Sequence, residues 1–155
     1  MSRIGDIGTT ESKFVELANL IVEYDEILDE SDEHLILKGK TLKQAAQEQV
    51  AWYGYYDQKR IELRTVVKFL ETELDRVRGK LFRNFKENHS RELGEREIQQ
   101  YINNEPAYIR TKELLLEVDE LYQKFSGLVD NWKNRGYLIG HMSRAFVAEV
   151  EDAIL

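Results

Sequence analysis

Residues 42–86 read LKQAAQEQVAWYGYYDQKRIELRTVVKFLETELDRVRGKLFRNFK, and their apolar pattern decides the fold. The pattern advances in alternating steps of four and three, which is the period of a coiled-coil seam. The seam consists of Leu42, Ala46, Gln49, Tyr53, Tyr56, Arg60, Leu63, Val67, Leu70, Leu74, Val77 and Leu81. No proline interrupts it, so we expect one helix of roughly 68 Å at ~1.5 Å per residue. Because a compact globule cannot cover so long a stripe, the helix needs a partner helix, another copy of the chain, or both.

The composition is typical of a helical protein with solvated outer faces. Of the 155 residues, 42% are hydrophobic, 33% are charged and one is proline, which fits an all-α chain. The absence of cysteine excludes disulfides and thiolate metal sites and fits a reducing compartment. The sequence contains neither a run of about 18 apolar residues nor a signal peptide. We therefore expect a cytoplasmic protein that does not bind a membrane.

Helical spacing recurs on both sides of this stretch. Residues 12–29 form an amphipathic pattern, and we expect residues 29–39 to connect it to the long helix. Thr41 is a candidate N-cap, with Gln44 at the capping-box position. A short helix is predicted over residues 94–103, and Pro106 suits the first turn of the next helix. From there a second seam runs through Leu114, Val118, Leu121, Phe125, Leu128, Trp132, Arg135, Ile139, Met142, Phe146 and Val150.

The two seams together predict an elongated, coiled-coil-like antiparallel hairpin with an additional N-terminal helix, assembling into a homo-oligomer. We divide the chain into an acidic N-terminal segment with an amphipathic helix, residues 1–40, and a long helical hairpin, residues 41–155. The hairpin carries a basic turn region and a C-terminal oligomerisation segment. Gly136 and Gly140 can kink or end the last helix and leave 141–155 as a separate segment. The residues that we expect at the oligomer interface are Trp132, Tyr137, Ile139, Met142, Phe146 and Val150.

Three polar or charged residues interrupt the seams. Gln49 and Arg60 occupy seam positions of the long helix, where polar residues commonly fix register or oligomer state. Arg135 interrupts the second seam, and it can complement the C terminus of a helix.

Charge is distributed unevenly along the chain. The net charge is −7, and residues 1–40 supply −6 of it through ten acidic and four basic side chains. Residues 76–91 hold six basic side chains against one acidic residue, Glu87. A polyanion responds to such local charge, and each neutralised phosphate releases counterions. The predicted DNA-binding residues are the cations with the aromatic residues among them: Arg76, Arg78, Lys80, Arg83, Lys86, Arg91, Phe82 and Phe85. The alternative is a solvated face that pairs with the acidic N-terminal helix.

Motifs for catalysis and for metal or cofactor binding do not occur. His34, His89 and His141 are isolated, and none has glutamate three residues before it, as di-iron bundles require. The sequence contains no Cys nucleophile, no His-Glu-x-x-His and no glycine-rich phosphate loop. We therefore expect a protein that is not an enzyme and has no cofactor.

Two motifs resemble those of UvsY-type recombination mediator proteins of tailed phages. Residues 77–81, VRGKL, resemble the short motif of that family, in which basic residues alternate with apolar and small ones. Residues 132–141, WKNRGYLIGH, resemble its basic-x-Arg-Gly-aromatic run that closes in a histidine. The likeness covers roughly residues 42–148. It departs from the family in the order of Arg and Lys in the first motif, which changes hydrogen-bond geometry. The acidic residues 1–40 have no counterpart that we can align.

The resemblance implies a single-stranded-DNA-binding protein that forms a ring-like homo-oligomer, roughly a hexamer to heptamer. It implies a recombination and repair role, in which the protein helps a RecA-like recombinase to displace a single-strand-binding protein and form a filament. By position, the family's DNA contacts fall on Arg78 and Lys80, and its oligomerisation segment matches Phe146 and Val150. Residues 1–40 would contact the recombinase or mask the basic patch. A phage-encoded protein would act in the host cytoplasm.

Two other classes of protein use the same features. A structural or assembly scaffold, or a chaperone, would use the coiled-coil seams without binding DNA. A regulator with an acidic tail would bind a basic partner.

Overall fold

The computed structural model describes residues 10–154, with side chains for residues 12–149. This range contains four helices and no strand, so the predicted all-α class is confirmed. The helices are α1 (Thr10–Leu35), α2 (Leu42–Asn88), α3 (Glu95–Asn103) and α4 (Pro106–Ile154). Across the described range, none of them has a stretch both long and apolar enough to cross a bilayer.

Helix α1 extends beyond the end at Asp29 that the sequence predicts. Its last turns pack against other parts of the chain. Ser31 is buried, and its hydroxyl donates to the Leu28 carbonyl at 2.6 Å. The His34 ring stacks on Trp52, with centroids 3.7 Å apart. The predicted connector from Asp29 is therefore wrong at its beginning, because tertiary contacts hold a polar, acidic segment in the helix.

The turn between α1 and α2 follows the predicted chemistry. Gly39 has a φ of 81°, in the left-handed region that glycine tolerates best, and the Lys40 N–H donates to the Leu37 carbonyl. The Gln44 N–H donates to the Thr41 hydroxyl at 3.2 Å, and the Thr41 N–H donates to the Gln44 side chain at 3.0 Å. This reciprocal pair confirms the predicted capping box at the start of α2.

Helix α2 buries the middle of its predicted seam. Tyr56, Leu63, Val67, Leu70 and Leu74 are all buried. Near the N terminus the buried alanine is Ala45, whereas Ala46 is exposed. An α-helix has 3.6 residues per turn, so a stripe with a period of 3.5 drifts around the helix over this length.

The chain divides into two compact units. The first combines the described residues up to Arg60 with those from Gln123 onward. Within it α1 runs antiparallel to α2, since His34 contacts both Trp52 and Tyr56 whereas Lys59 lies over Tyr24. Helix α1 runs parallel to α4, since Tyr24 packs on Phe125 at 5.6 Å and the Leu35 carbonyl accepts a hydrogen bond from Arg135. Trp132 and Phe125 lie in the core of this unit, both fully buried.

The second unit comprises Ile61–Tyr122. Its core includes a cluster of five buried residues from α2, the α2–α3 loop, α3 and α4: Leu74, Leu93, Ile98, Ile102 and Tyr108. Helix α3 confirms the short helix predicted over residues 94–103, and it buries Ile98 and Ile102, one turn apart. Pro106 is the first residue of α4, as expected. Helix α3 therefore packs against the C-terminal part of α2 and the beginning of α4.

Helix α4 is continuous from Pro106 to Ile154, so Gly136 and Gly140 neither end nor interrupt it. The suggested separate segment over 141–155 is wrong for the residues described. At Gly136 a β-carbon would lie 2.9 Å from Nε2 of Gln49. Glycine at this position lets the Gln49 side chain approach α4, which explains why a poor helix former lies inside a long helix.

Candidate nucleic-acid interface

Four cations lie on the outer side of α2 within the second unit. Arg76, Lys80, Arg83 and Lys86 are all exposed, and together they form what we term the basic face. At about 100° per residue, Lys80 and Arg83 lie within about 40° of Arg76 around the helix axis. Leu74, Leu81 and Phe85 lie on the opposite side, toward the core cluster. Burial of these apolar residues therefore turns the basic face toward solvent.

The carboxylates near the basic face neutralise little of its charge. Arg76 pairs with Glu73 at 2.8 Å, and this hydrogen bond, followed by the charge of Glu73, raises the pKa of Arg76. Among the described residues, no ion pair involves Lys80 or Arg83. Residues 76–86 contain no acidic side chain. The basic face can therefore attract phosphate groups.

Arg78 is directed away from the basic face. Its Nη2 donates to the Tyr108 hydroxyl at 3.2 Å, and its guanidinium lies 5.6 Å from the centre of the Tyr108 ring. Asp75 pairs with it at 3.1 Å, and the hydrogen bond to Tyr108 is the main cause that raises the pKa of Arg78. Gly79 does not open the helix, because α2 continues through it. Arg78 and Lys80, which match the family's paired DNA contacts, are therefore about 200° apart around the axis.

Arg91 follows the end of α2 and is exposed, but it is paired with a carboxylate. Its guanidinium binds Glu97 of α3 through two hydrogen bonds. These hydrogen bonds are the main cause that raises the pKa of Arg91. The pair neutralises the charge of Arg91, so this residue contributes less to the local field than those of the basic face.

The two predicted aromatic residues are partly covered. Phe82 and Phe85 pack against the core cluster of the second unit. Nζ of Lys86 lies 5.9 Å from the centre of the Phe82 ring. Phe85 stacks on Tyr101 of α3 with a centroid distance of 5.5 Å, and His89 lies nearly parallel to the same tyrosine at 6.2 Å.

Tyr101 and His89 are not among the residues predicted for the DNA-binding site. Tyr101 shares the helical spacing of Ile98 and Ile102, which indicates only a core position. Its proximity to Phe85 arises from the packing of α3 against α2. A local pattern cannot predict that contact, because the two residues belong to different helices.

The predicted oligomer-interface residues fall into two groups. Trp132 and Ile139 are buried within the first unit, with exposed fractions of 0% and 6%. Tyr137, Met142 and Phe146 are exposed, at 70%, 48% and 61%. The side chain of Val150 lies outside the described residues. Only the second group is available to a partner in the chain as folded.

The Arg-Gly pair of the second motif holds the first unit together. Arg135 donates to the carbonyls of Leu35 and Ala45 at 3.1 and 3.2 Å and to Oε1 of Gln49 at 2.9 Å. Nε2 of Gln49 donates in turn to the Trp132 carbonyl at 2.6 Å. Leu35 is the last residue of α1, so Arg135 does complement a helix C terminus, although that helix is α1. Gln49 links α2 to α4 through the Trp132 carbonyl, and Arg60 pairs with Asp57 of the same helix.

The described geometry thus leaves the basic face accessible and assigns the Arg135–Gly136 pair to packing. Phosphate contact requires exposed cations, and the basic face provides four of them. Family models do not match this chain, and neither the curated proteins nor the solved structures include a match to it.

Proposed function

We propose that this protein binds single-stranded DNA and acts as a recombination mediator, loading a RecA-like recombinase onto strands that are covered by single-strand-binding protein. The DNA-binding part of this proposal is supported by the basic face of α2, which has four exposed cations in a stretch without a carboxylate. Such a face neutralises phosphates without reading sequence. The recombinase step rests on the resemblance to UvsY-type mediators.

The proposal assigns different roles to the two cations of the first motif. Lys80, with its neighbour Arg83, would contact phosphates directly. Arg78 is bonded to Tyr108 and would support the packing of α4 against α2 beneath the basic face. This assignment departs from the family's pattern, in which both basic positions contact DNA.

Assembly is the second part of the proposal. The two long helices α2 and α4 would form an elongated antiparallel hairpin, and several copies would join into a ring-like homo-oligomer. Trp132, Ile139 and Phe146 lie seven residues apart on one side of α4, and only Phe146 is exposed. An apolar stripe that continues beyond its intrachain partners favours a partner from another copy. Several basic faces on one strand would then act together at high effective concentration.

The decisive experiment measures binding of a labelled single-stranded oligonucleotide by fluorescence anisotropy at about 50 and 200 mM salt. We expect the wild-type protein to bind in a salt-dependent manner. The double variant Lys80→Ala/Arg83→Ala should bind more weakly, and its slope of log K against log salt should be shallower by about 1.4, since each lost phosphate contact removes ~0.7.

A matched control separates the basic face from total charge. The double variant Lys43→Ala/Lys133→Ala removes the same charge from exposed positions of the first unit. We expect it to bind like the wild type. Equal losses in both double variants would show that binding follows net charge alone, and the basic face would no longer explain it.

A scaffold or assembly protein is the alternative, and the exposed apolar side chains of α4 favour it. Such a protein would assemble through Met142 and Phe146 and would ignore DNA at low salt. An oligomer that does not bind the oligonucleotide would therefore support the scaffold and exclude the mediator.

A further inference from the structure

The C-terminal end of α2, the segment that follows it and helix α3 form an aromatic stack on the surface of the second unit. It consists of Phe85, His89 and Tyr101. The Tyr101 ring lies between 20° and 30° from the planes of both other rings, at 27° to Phe85 and 21° to His89. Phe85 is half-buried against the core cluster, whereas Tyr101 is 40% exposed and His89 is exposed. The outer part of the stack is therefore open to solvent.

The packing of α3 holds this stack in place. Ile98 and Ile102 are buried, at 1% and 0% exposure, and anchor α3 on the core cluster. Tyr101 precedes Ile102, so its ring emerges at the edge of that contact and rests on Phe85. The platform is thus preorganised, and little side-chain entropy is lost when a ligand binds.

A cation lies next to the stack. Lys86 lies in the last turn of α2, next to Phe85 in sequence and three residues before His89, which follows the end of the helix. Lys86 belongs to the basic face, so it links the phosphate-binding cations to the aromatic rings. Arg91 is also near, but Glu97 neutralises it. A flat aromatic surface beside a lysine fits one repeat of a single strand, a base with its phosphate.

We propose that Tyr101, supported by Phe85 and His89, is a stacking site for an unpaired nucleobase, and that Lys86 holds the adjacent phosphate. This inference rests on the proposed binding of single-stranded DNA and identifies the part of the strand that the protein recognises besides its charge. Bases in a duplex are stacked on one another, so the site favours single strands. Every base has an aromatic face, so the site has little sequence preference.

The test compares two labelled probes of equal length by fluorescence anisotropy at about 50 mM salt. One is a single-stranded oligonucleotide, and the other is an abasic strand that carries the same phosphates without bases. We expect the full-length wild-type protein to bind the base-containing strand roughly fivefold or more tightly than the abasic strand. Tyr101→Ala should bind both strands equally with an unchanged salt slope, whereas Tyr101→Phe should keep the preference.

Three further variants make the result specific. Tyr55 is also 40% exposed but lies in the first unit, so Tyr55→Ala should keep the preference for bases. Lys86→Ala should weaken binding to both probes by the same factor and reduce the salt slope. If Tyr101→Ala loses helicity, Tyr101→Leu replaces it in the test, because leucine keeps the apolar cover of Phe85 but offers no aromatic face. Tyr101→Leu should then bind both strands equally.

The outcomes distinguish this inference from the proposed function. Salt-dependent binding of both probes with equal affinity by the wild type would overturn the stacking site and leave the basic face in place. A loss of preference in Tyr55→Ala, with Tyr101→Ala unchanged, would also overturn it. Failure of the wild type to bind either probe would overturn the stacking site together with the proposed function.

Discussion

At the scale of single residues, Arg135 connects helix α4 to α1 and α2 within the first unit. It is 5% exposed. Its guanidinium donates hydrogen bonds to the Leu35 carbonyl at the end of α1, to the Ala45 carbonyl near the start of α2 and to the Gln49 side chain. Its burial is the main cause that lowers its pKa, while the charge of Glu48 opposes the shift. Nη2 lies 3.6 Å from that carboxylate. One charged group thus satisfies three acceptors on two helices, α1 and α2.

Replacing Arg135 with alanine should destabilise the protein by about 3 kcal/mol, because hydrogen bonds from a charged donor contribute ~1.5 kcal/mol or more each. Urea unfolding monitored by circular dichroism measures the change. Arg64→Ala, which removes an exposed arginine of α2, should change the free energy of unfolding by less than about 0.5 kcal/mol. Similar stabilities for the two variants would contradict the role of Arg135.

The buried Tyr56 makes the free energy of unfolding depend on pH in the alkaline range. It is 1% exposed, and its hydroxyl lies 2.7 Å from Nδ1 of His34. Burial, with smaller contributions from Tyr55 and Glu30, raises the pKa of Tyr56 to about 12. The ordinary tyrosine pKa is about 10. As pH rises, the unfolded chain therefore loses this proton before the folded chain does. The contribution of the protonated Tyr56 to the free energy of unfolding is complete below about pH 10 and is lost as pH rises toward 12.

We expect the free energy of unfolding of the wild type to fall more steeply between about pH 10 and 12 than that of Tyr56→Phe. Urea titrations at several pH values in that range measure the difference. Parallel pH dependences of the two proteins would mean that the Tyr56 hydroxyl does not cause the decline.

At the scale of helices, the glycines of α2 and α4 differ in the space around them. Some face open space, whereas Gly136 lies in close contact with a side chain of the other helix. A β-carbon at Gly54 or Gly127 would meet nothing within 4 Å. At Gly136 it would lie 2.9 Å from the Gln49 side chain, whose end is held by the Trp132 carbonyl and Arg135. Alanine in a helix interior is favoured over glycine by about 1 kcal/mol where space allows.

Gly54→Ala and Gly127→Ala should therefore each stabilise the protein by about 0.5–1 kcal/mol, whereas Gly136→Ala should destabilise it. In the background of Gln49→Ala, the same change at 136 should become stabilising, because the clash is gone. Thermal and urea unfolding of the four proteins of this double-mutant cycle measure the coupling. Additive effects of the two changes would argue against the close contact.

At the scale of the whole molecule, the proposed assembly would depend on the part of α4 that passes the ends of α1 and α2. Arg135 meets the last residue of α1 and the first turns of α2, and α4 then continues to Ile154. That is about 28 Å of helix at ~1.5 Å per residue. Met142 and Phe146, one turn apart, are exposed on it. This segment is the proposed contact between copies of the chain.

The double variant Met142→Glu/Phe146→Glu should lower the molar mass measured by light scattering while the helical circular dichroism stays unchanged, because both side chains are exposed. Its affinity for single-stranded DNA should fall by roughly tenfold or more, since separate basic faces lose their shared strand. Val50→Glu, at an exposed valine of α2, is the matched control. A full-size oligomer in the double variant would exclude this segment as the interface.

Much of the candidate site follows from local pattern, but its orientation does not. The basic stretch, its lack of carboxylates and its position on a long helix are visible in the sequence. Which cations face solvent depends on where α3 and α4 pack. Arg78 is bonded to Tyr108, thirty positions away, and Phe85 meets Tyr101 of another helix. The roles of these residues in DNA binding and assembly stay predictions.

Periodicity and capping chemistry in the sequence were sufficient to predict the all-α class, the capping box at Thr41, the short helix α3 and the start of α4 at Pro106. These features depend on hydrogen bonds and side-chain spacing between residues close in the chain, so a local pattern contains them. The extension of α1 to Leu35, the burial of Trp132 and Ile139, and the passage of α4 through Gly136 required tertiary structure. Each depends on contacts between residues far apart in sequence, such as Arg135 with Leu35 and Gln49 with Trp132. Burial and long-range hydrogen bonds there outweigh the intrinsic preferences of glycine and of acidic segments.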